Sequence, residues 1–184
     1  MPALASARGA AIIGIRGQPE RATGRARIRA ALAAALAAQF DIDPSRIELH
    51  SHQGAAPWAA VRLDAGPQHI ALSISHDGDI SVAAYSLTAR VGIDVASIVS
   101  VPDWQPVARD YLGPVTADAL ARVSASARDA AFAHAWSEHE ARLKCLGLQL
   151  QEWSGPLARA LGACRCFPLA LPHGYAGHLA LSEP

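Results

Sequence analysis

The chain has 184 residues, 51% of them hydrophobic, and its 16 basic and 16 acidic residues give a formal net charge of zero. No global field therefore favours nucleic acid or an anionic membrane as a partner. Three cysteines are too few for a disulfide framework. The sequence shows no apolar run of signal-peptide or membrane-spanning length. We expect a soluble, cytoplasmic protein with a single compact domain over residues 1–184.

The first half of the chain predicts a helix and an antiparallel sheet. Residues 10–15 are apolar, β-branched and followed by glycine and proline, which predicts a strand and a turn. Residues 21–40 are rich in alanine and leucine, and Ile28, Leu32 and Leu36 recur at fourth-residue spacing, which predicts a helix with one buried stripe. Alternating or β-branched apolar residues predict three more strands, over 69–75, 81–86 and 90–95.

The second half repeats this order of elements. Helices are predicted around 106–112 and over 116–147, with Gly113 and Pro114 between them, and strands near 164–170 and 175–181. The expected fold class is α+β. We expect two pseudo-repeat halves, 1–100 and 101–184, each with a helix packed on a small, mainly antiparallel sheet.

The most informative helical segment is 130–147. At about 100° per residue, five of its residues fall on one mainly apolar stripe, and these are Phe132, Trp136, His139, Leu143 and Leu146. Glu140 and Lys144 lie four residues apart on the flank of that stripe, where both side chains can reach one cleft edge. A Glu/Lys pair at this spacing is ordinarily a surface ion pair worth about 0.3 kcal/mol. Only a second motif can change this interpretation.

That second motif is Gly92-Ile-Asp94-Val, where an acidic residue follows a glycine within a β-branched run. Alone, such an aspartate is more often a turn former than a metal ligand. Together with Trp136-Ser-Glu-His-Glu140-Ala-Arg-Leu-Lys144-Cys-Leu-Gly147, it resembles the two signature motifs of the 4'-phosphopantetheinyl transferase superfamily. These are Gly-Ile-Asp and Trp-Ser/Thr-x-Lys-Glu-Ala-x-x-Lys-x-x-Gly.

Three weaker segments agree with this resemblance. The family's Ser-x-Ser-His-Ser-Gly segment is similar to residues 73–78, its Gly-Lys-Pro to Gly54-Ala-Ala-Pro57, and its C-terminal Gly-Tyr to Gly174-Tyr175. Within the family, the chain resembles the surfactin-synthetase-activating type, in which both halves lie in one chain. The resemblance implies a pseudo-twofold α+β fold with the active site between the halves. Two halves in one chain would allow a monomer.

The resemblance also implies an activity. The phosphopantetheine arm of coenzyme A would be transferred to a serine of an acyl or peptidyl carrier protein of fatty-acid, polyketide or nonribosomal peptide synthesis, with release of adenosine 3',5'-bisphosphate. Asp94 and Glu140 would hold Mg²⁺ at the pyrophosphate, and Lys144 would stabilise phosphate charge. Glu140 or a water on the ion would accept the serine proton.

Further contacts to coenzyme A are expected from a strand-to-turn junction and from the first helix. Ser75 and His76 can donate hydrogen bonds to a phosphate. Arg21 and Arg25, at i and i+4, could bind the 3'-phosphate. The alternative candidates for a phosphate contact are Arg27, Arg29 and Arg62. Trp58 and Trp136 are expected to pack rather than to stack on a base.

Two departures from the family pattern leave alternatives open. Ala96 stands where the family often has a second acidic residue, and His139 where it has a lysine. We expect His139 to pack in the stripe with a satisfied ring nitrogen, and the alternative is a pH-dependent phosphate contact. One alternative is a catalytically impaired relative that binds coenzyme A or a carrier protein without efficient transfer. Another is a small interaction module whose motif match is accidental.

Overall fold

The computed structural model describes residues 3–7, 9–17, 20–51 and 56–182, with the side chains of 3–7 left out. Within these residues the fold is α+β, with two antiparallel sheets and several helices. The strands are β1 Ala3–Ala7, β2 Ala10–Arg16, β3 Ile47–His50, β4 Trp58–Leu63, β5 Gly66–Asp77, β6 Ile80–Ser86, β7 Arg90–Ser97, β8 Arg165–Pro168 and β9 Tyr175–Ser182. The helices are α1 Arg21–Phe40, α2 Trp104–Val107, α3 Pro114–Arg122, α4 Ala125–Leu146 and α5 Gly155–Gly162, with a π-helical turn Ala108–Leu112 after α2. No helix of the described part is long and apolar enough to cross a membrane.

The first sheet has the strand order β1-β2-β6-β5-β4-β3. The predicted stripe of α1, Ile28, Leu32 and Leu36, is fully buried against one face of this sheet. Asp41 ends the helix in the left-handed conformation, and its N–H donates to Ala37 O. The stripe therefore fixes which face of α1 meets the sheet and which face carries its arginines.

The second sheet has the order β7-β9-β8 and lies between the first sheet and α4. On β7, Val91, Ile93 and Val95 join the apolar layer between the two sheets. The alternate residues face α4, and a Cβ on Gly92 would overlap the backbone of α4 at Ala141. Glycine at this position thus lets the helix approach the strand that carries Asp94.

Most predicted elements are confirmed, and two boundaries are wrong. The helix predicted over 21–40 and the strand predicted over 10–15 are present at those positions. The single helix predicted over 116–147 is two helices, because Val123 and Ser124 are extended and α4 begins after them. The strand predicted over 69–75 runs over Gly66–Asp77. Strands β1, β3 and β4 and helix α5 were not predicted.

The division between the sheets falls after β6. β7 belongs to the second sheet, although residues 90–97 fall within the first predicted half. The pseudo-twofold relation between halves stays a prediction.

Candidate active site

A cleft of about 1040 Å³ lies where α1, the end of β5, β7 and α4 meet. One wall carries the arginines of α1, Arg21, Arg25 and Arg29. The facing wall carries the side chains that the two motifs supply, Asp94, Glu140 and Lys144, and Ser75 and His76 also line the cleft. All of the sequence-predicted site residues therefore lie around one space.

Asp94 is held by two neighbours in the cleft. It is 5% exposed, and its Oδ1 lies 2.5 Å from Lys144 Nζ. Ser75 donates a hydrogen bond to the same oxygen at 2.7 Å and accepts one from Lys144 at 3.2 Å. The hydrogen of the Ser75 hydroxyl is thus committed to Asp94, and Ser75 orients this carboxylate.

The two motif carboxyl groups of the cleft, Asp94 and Glu140, hold their protons more tightly than ordinary carboxyls do. Burial raises the pKa of Asp94 above its usual value, against the opposing effect of Lys144 and Ser75. Burial also raises the pKa of Glu140, and the charge of Asp94 adds to this effect while Lys144 opposes it. Both carboxyl groups therefore lie where their charged form is poorly solvated, with Lys144 as a compensating cation beside them.

A ladder of side chains joins the sheets beside Asp94. β7 is an edge strand of its sheet, so the N–H groups on its free edge need partners from outside the sheet. Three alternate residues of β5 accept them: Ser73 from Ile93 at 3.0 Å, Ser75 from Val95 at 3.4 Å and Asp77 from Ser97 at 2.5 Å. This ladder fixes Asp94 relative to the first sheet.

His76 is held against the first turns of α1. Its Nδ1 lies 2.6 Å from Ser81 Oγ. A Cβ added to Gly24 would lie 2.8 Å from two atoms of the imidazole ring. The glycine near the start of an otherwise alanine-rich helix therefore makes room for His76, at a cost of up to about 1 kcal/mol relative to alanine.

The structure shows which of the alternative arginines line the cleft. Arg29 lines the cleft with Arg21 and Arg25, and its guanidinium donates to Leu49 O at 2.7 Å. Arg62 forms an ion pair with Glu48 on the exposed surface. Arg27 is exposed and does not line the cleft.

The two departures from the family pattern lie in different surroundings. Ala96 lines the cleft, two residues beyond Asp94. His139 is 8% exposed and lines a separate pocket of about 200 Å³ with Arg142 and Trp153. Its Nε2 has no hydrogen-bond partner among the described residues, so the predicted satisfied ring nitrogen is wrong for that atom. Burial, with Arg142, lowers the pKa of His139.

Trp136 has a mixed role. It packs as predicted, with its ring stacked 6.0 Å from Phe132, and it also lines the cleft. Trp58 is stacked between His50 and His69. Of the Gly54-Ala-Ala-Pro57 segment, residues 54 and 55 lie outside the described residues, and Pro57 lines the cleft.

Sequence analysis missed four residues that hold the site together. Gly24, Ser73 and Asp77 have the contacts given above. Tyr175 donates to Asp79 Oδ1 at 2.7 Å, which ties the start of β9 to the turn after β5. Ser73, Asp77 and Tyr175 lie in the matching segments 73–78 and Gly174-Tyr175, although their contacts depend on which elements become neighbours. Gly24 had no such signal.

The described residues include no group of three or more histidine, cysteine or acidic side chains placed to hold a metal. The acidic residues that line the cleft are Asp77, Asp94 and Glu140. Asp77 accepts the N–H of Ser97, and the motif pair Asp94 and Glu140 would hold a divalent ion. Two carboxylates are a sufficient donor set for Mg²⁺, which keeps several water ligands and takes others from phosphate.

Residues 90–166 match the profile of the 4'-phosphopantetheinyl transferase superfamily. The match runs from β7 to β8 and includes Asp94, Glu140 and Lys144. It covers less than half of the chain, and it does not distinguish the subtype. A comparison with curated proteins finds no match.

Proposed function

We propose that the protein is a 4'-phosphopantetheinyl transferase that moves the phosphopantetheine arm of coenzyme A to a serine of an acyl or peptidyl carrier protein. The observation that carries this proposal is the convergence of Asp94, Glu140 and Lys144 on one cleft opposite three arginines. Coenzyme A has anionic groups at two places, the 3'-phosphate and the pyrophosphate. A cleft with cationic groups on both walls suits that distribution of charge.

The residues of the cleft have different roles in this reaction. Arg21 and Arg25, with Arg29 beside them, bind the 3'-phosphate. His76 donates to the pyrophosphate, and Lys144 stabilises the charge that develops on the leaving phosphate. Glu140 accepts the proton of the carrier serine, whose oxygen attacks the β-phosphorus as the bond to the bridging oxygen breaks.

Asp94 and Glu140 would hold Mg²⁺. When bound, this ion would neutralise charge on the pyrophosphate oxygens. Ser75 keeps the Asp94 carboxylate in place through the 2.7 Å hydrogen bond. With Ala96 in the cleft wall, the chain adds no third carboxylate at that position.

Intact-mass analysis of a carrier protein tests this proposal. Purified protein, coenzyme A, MgCl₂ and an apo carrier should give a carrier heavier by one phosphopantetheine group. Asp94→Ala and Glu140→Ala should each remove this product, while Arg62→Ala, on the surface away from the cleft, should not. Undiminished loading by either cleft variant would refute the site assignment.

The alternative is a relative that binds without transfer, and the observation that favours it is Ala96 in the cleft wall. Titration of the protein with coenzyme A by calorimetry separates the two. Binding that depends on Arg21 and Arg25, with no loading of fatty-acid, polyketide or peptide-synthesis carriers, would identify the impaired relative. Absence of both binding and loading would leave the interaction module.

A further inference from the structure

The face of the second sheet that lies against α4 carries two polar residues among small ones. In the register of β7 and β9, three cross-strand pairs face the helix, Gly92 with Ala180, Asp94 with His178 and Ala96 with Ala176. Residues directly opposite each other in an antiparallel pair project to the same face. Asp94 and His178 are therefore neighbours beneath α4, and each can make a directional contact to it.

His178 makes its contact to Ser137. The His178 Nδ1 and the Ser137 Oγ are 2.8 Å apart, and Ser137 also donates to His134 O at 3.1 Å. A hydroxyl has one hydrogen, so the network assigns the Nδ1–H of His178 as the donor to Ser137. The two residues are 7% and 0% exposed. A hydrogen bond this deeply buried is costly to leave unmade.

The second polar contact is the pair of Asp94 with Lys144. Ser137 precedes Lys144 by two helical turns, about 10 Å along the axis, and Glu140 lies between them. Beside these two contacts the helix meets Gly92 and Ala180 with Ala141 and Cys145. These small side chains set how close α4 comes. The Cys145 thiol adds only weak hydrogen bonds to the sheet, to Arg90 O at 3.5 Å and Ser182 Oγ at 3.6 Å.

We propose that Ser137 and His178 are positioning residues that set the register of α4 on the second sheet, so that Glu140 lies beside Asp94. This inference rests on the proposed function for its consequence in catalysis. The arginine wall is on α1, which neither residue touches, so the effect is confined to the carboxylate side of the cleft.

Ser137→Ala tests the proposal, with Ser137→Thr as the rescue and Ser126→Ala, exposed on the first turn of α4, as the control. We expect Ser137→Ala to lower kcat by about 10- to 100-fold. Its KM for coenzyme A should stay within about threefold of the parent value. Mn²⁺ affinity, followed by electron paramagnetic resonance with MnCl₂ as the probe, should fall by about tenfold. Ser137→Thr and Ser126→Ala should keep the kcat and the Mn²⁺ affinity of the parent protein.

His178 supplies a second, independent pair of variants. The side-chain amide of asparagine can place an N–H near the position of Nδ1, so His178→Asn should retain Mn²⁺ affinity and His178→Leu should lose it. If Ser137→Ala does not fold, this pair of variants tests the positioning role. Equal Mn²⁺ affinity in the folded Ala or Leu variants and in the parent would overturn the positioning role.

The outcomes for the two proposals are distinct. A parent protein that binds Mn²⁺ but loads no carrier contradicts the proposed function, while the Mn²⁺ series still decides the role of Ser137 and His178. A parent protein that binds no Mn²⁺ overturns the positioning role as stated. Loss of kcat in Ser137→Ala that Ser137→Thr does not restore also counts against it.

Discussion

Lys144 Nζ lies 2.5 Å from Asp94 Oδ1, with the aspartate side chain 8% exposed and the lysine side chain 30% exposed. This contact joins the two motifs of the sequence, since Asp94 is on β7 and Lys144 is in the last turn of α4. Removal of one partner leaves the other in a poorly solvated place without its counter-charge.

Lys144→Gln should therefore lower both stability and activity. We expect a loss of about 1–3 kcal/mol in the free energy of unfolding from urea titration, and a fall in kcat of about 100-fold or more. The double variant Lys144→Gln/Asp94→Asn should regain much of the stability, because position 94 no longer carries a charge without its partner, but none of the activity. A double variant less stable than Lys144→Gln alone would contradict this account.

Ser73 and Ser75 form a matched pair in the ladder between the sheets. Each accepts a backbone N–H of β7, but only Ser75 also contacts Asp94 and Lys144. Ser73→Ala and Ser75→Ala should each cost about 1–3 kcal/mol, because a buried N–H loses its partner. Only Ser75→Ala should also lower kcat in the carrier-loading assay, by about tenfold or more. Equal kcat in the two variants would show that Ser75 has no role beyond the ladder.

Gly24→Ala sets helix propensity against the packing of His76. Alanine would favour the helix by about 1 kcal/mol, but its Cβ would lie 2.8 Å from the imidazole ring. We expect a displaced His76, no gain in melting temperature and a KM for coenzyme A raised several-fold.

Gly162→Ala is the control for this substitution. Gly162 ends α5 and has nothing within 4 Å of its added Cβ. It should give equal or higher stability and an unchanged KM. A more stable Gly24→Ala protein with the parent KM would show that His76 has room to move without effect.

Local patterns sufficed for the elements whose signals are local. α1 has a regular stripe, and Asp43-Pro44 follows its end, so its bounds could be predicted. α5 was missed because Gly155 and Pro156 resemble a loop, yet proline suits the first turn of a helix and Ser154 accepts from Leu157 N. The break before α4 was missed because neither Val123 nor Ser124 is a glycine or proline.

The site residues also fall into two groups, those that the sequence predicts and those that depend on tertiary packing. Asp94, Glu140 and Lys144 could be predicted because motif order and helical spacing are properties of the sequence. The roles of Ser73 and Gly24 could not, since they follow from the approach of β5 to β7 and of His76 to α1. Such contacts are set by tertiary packing and leave no periodic signal.

Acid should weaken the fold through its buried histidines. Burial lowers the pKa of His139 and of His178 below the ordinary 6.5. Arg142 faces both rings and lowers both pKa values, while for His178 Glu138 opposes the shift and His134 adds to it. The unfolded chain takes up these protons near pH 6.5, before the folded protein does. The stabilisation is thus complete above that pH and is lost as pH falls towards the lower folded values.

In His139→Met, the free energy of unfolding should fall less steeply as the pH is lowered. Removal of one such histidine changes the slope of stability against pH below 6.5 by at most about 1.4 kcal/mol per pH unit. Urea titrations between pH 7 and pH 5 measure it, with His173→Gln, an exposed histidine, as the control. Parallel curves for the parent and His139→Met would exclude His139 as a source of the acid sensitivity.

His139→Lys restores the lysine of the family pattern at a place where this chain cannot use it. His139 is 8% exposed and lines the pocket beside Arg142 rather than the cleft. A lysine there would bury an ammonium group next to a guanidinium, and we expect a loss of about 2–4 kcal/mol in stability. Ala127→Lys, on the exposed side of α4, should cost less than about 0.5 kcal/mol. The kcat of the folded His139→Lys protein in carrier loading should not exceed that of the parent. A raised kcat with stability retained would show that a side chain at this position reaches the cleft and that the family lysine is functionally missing here.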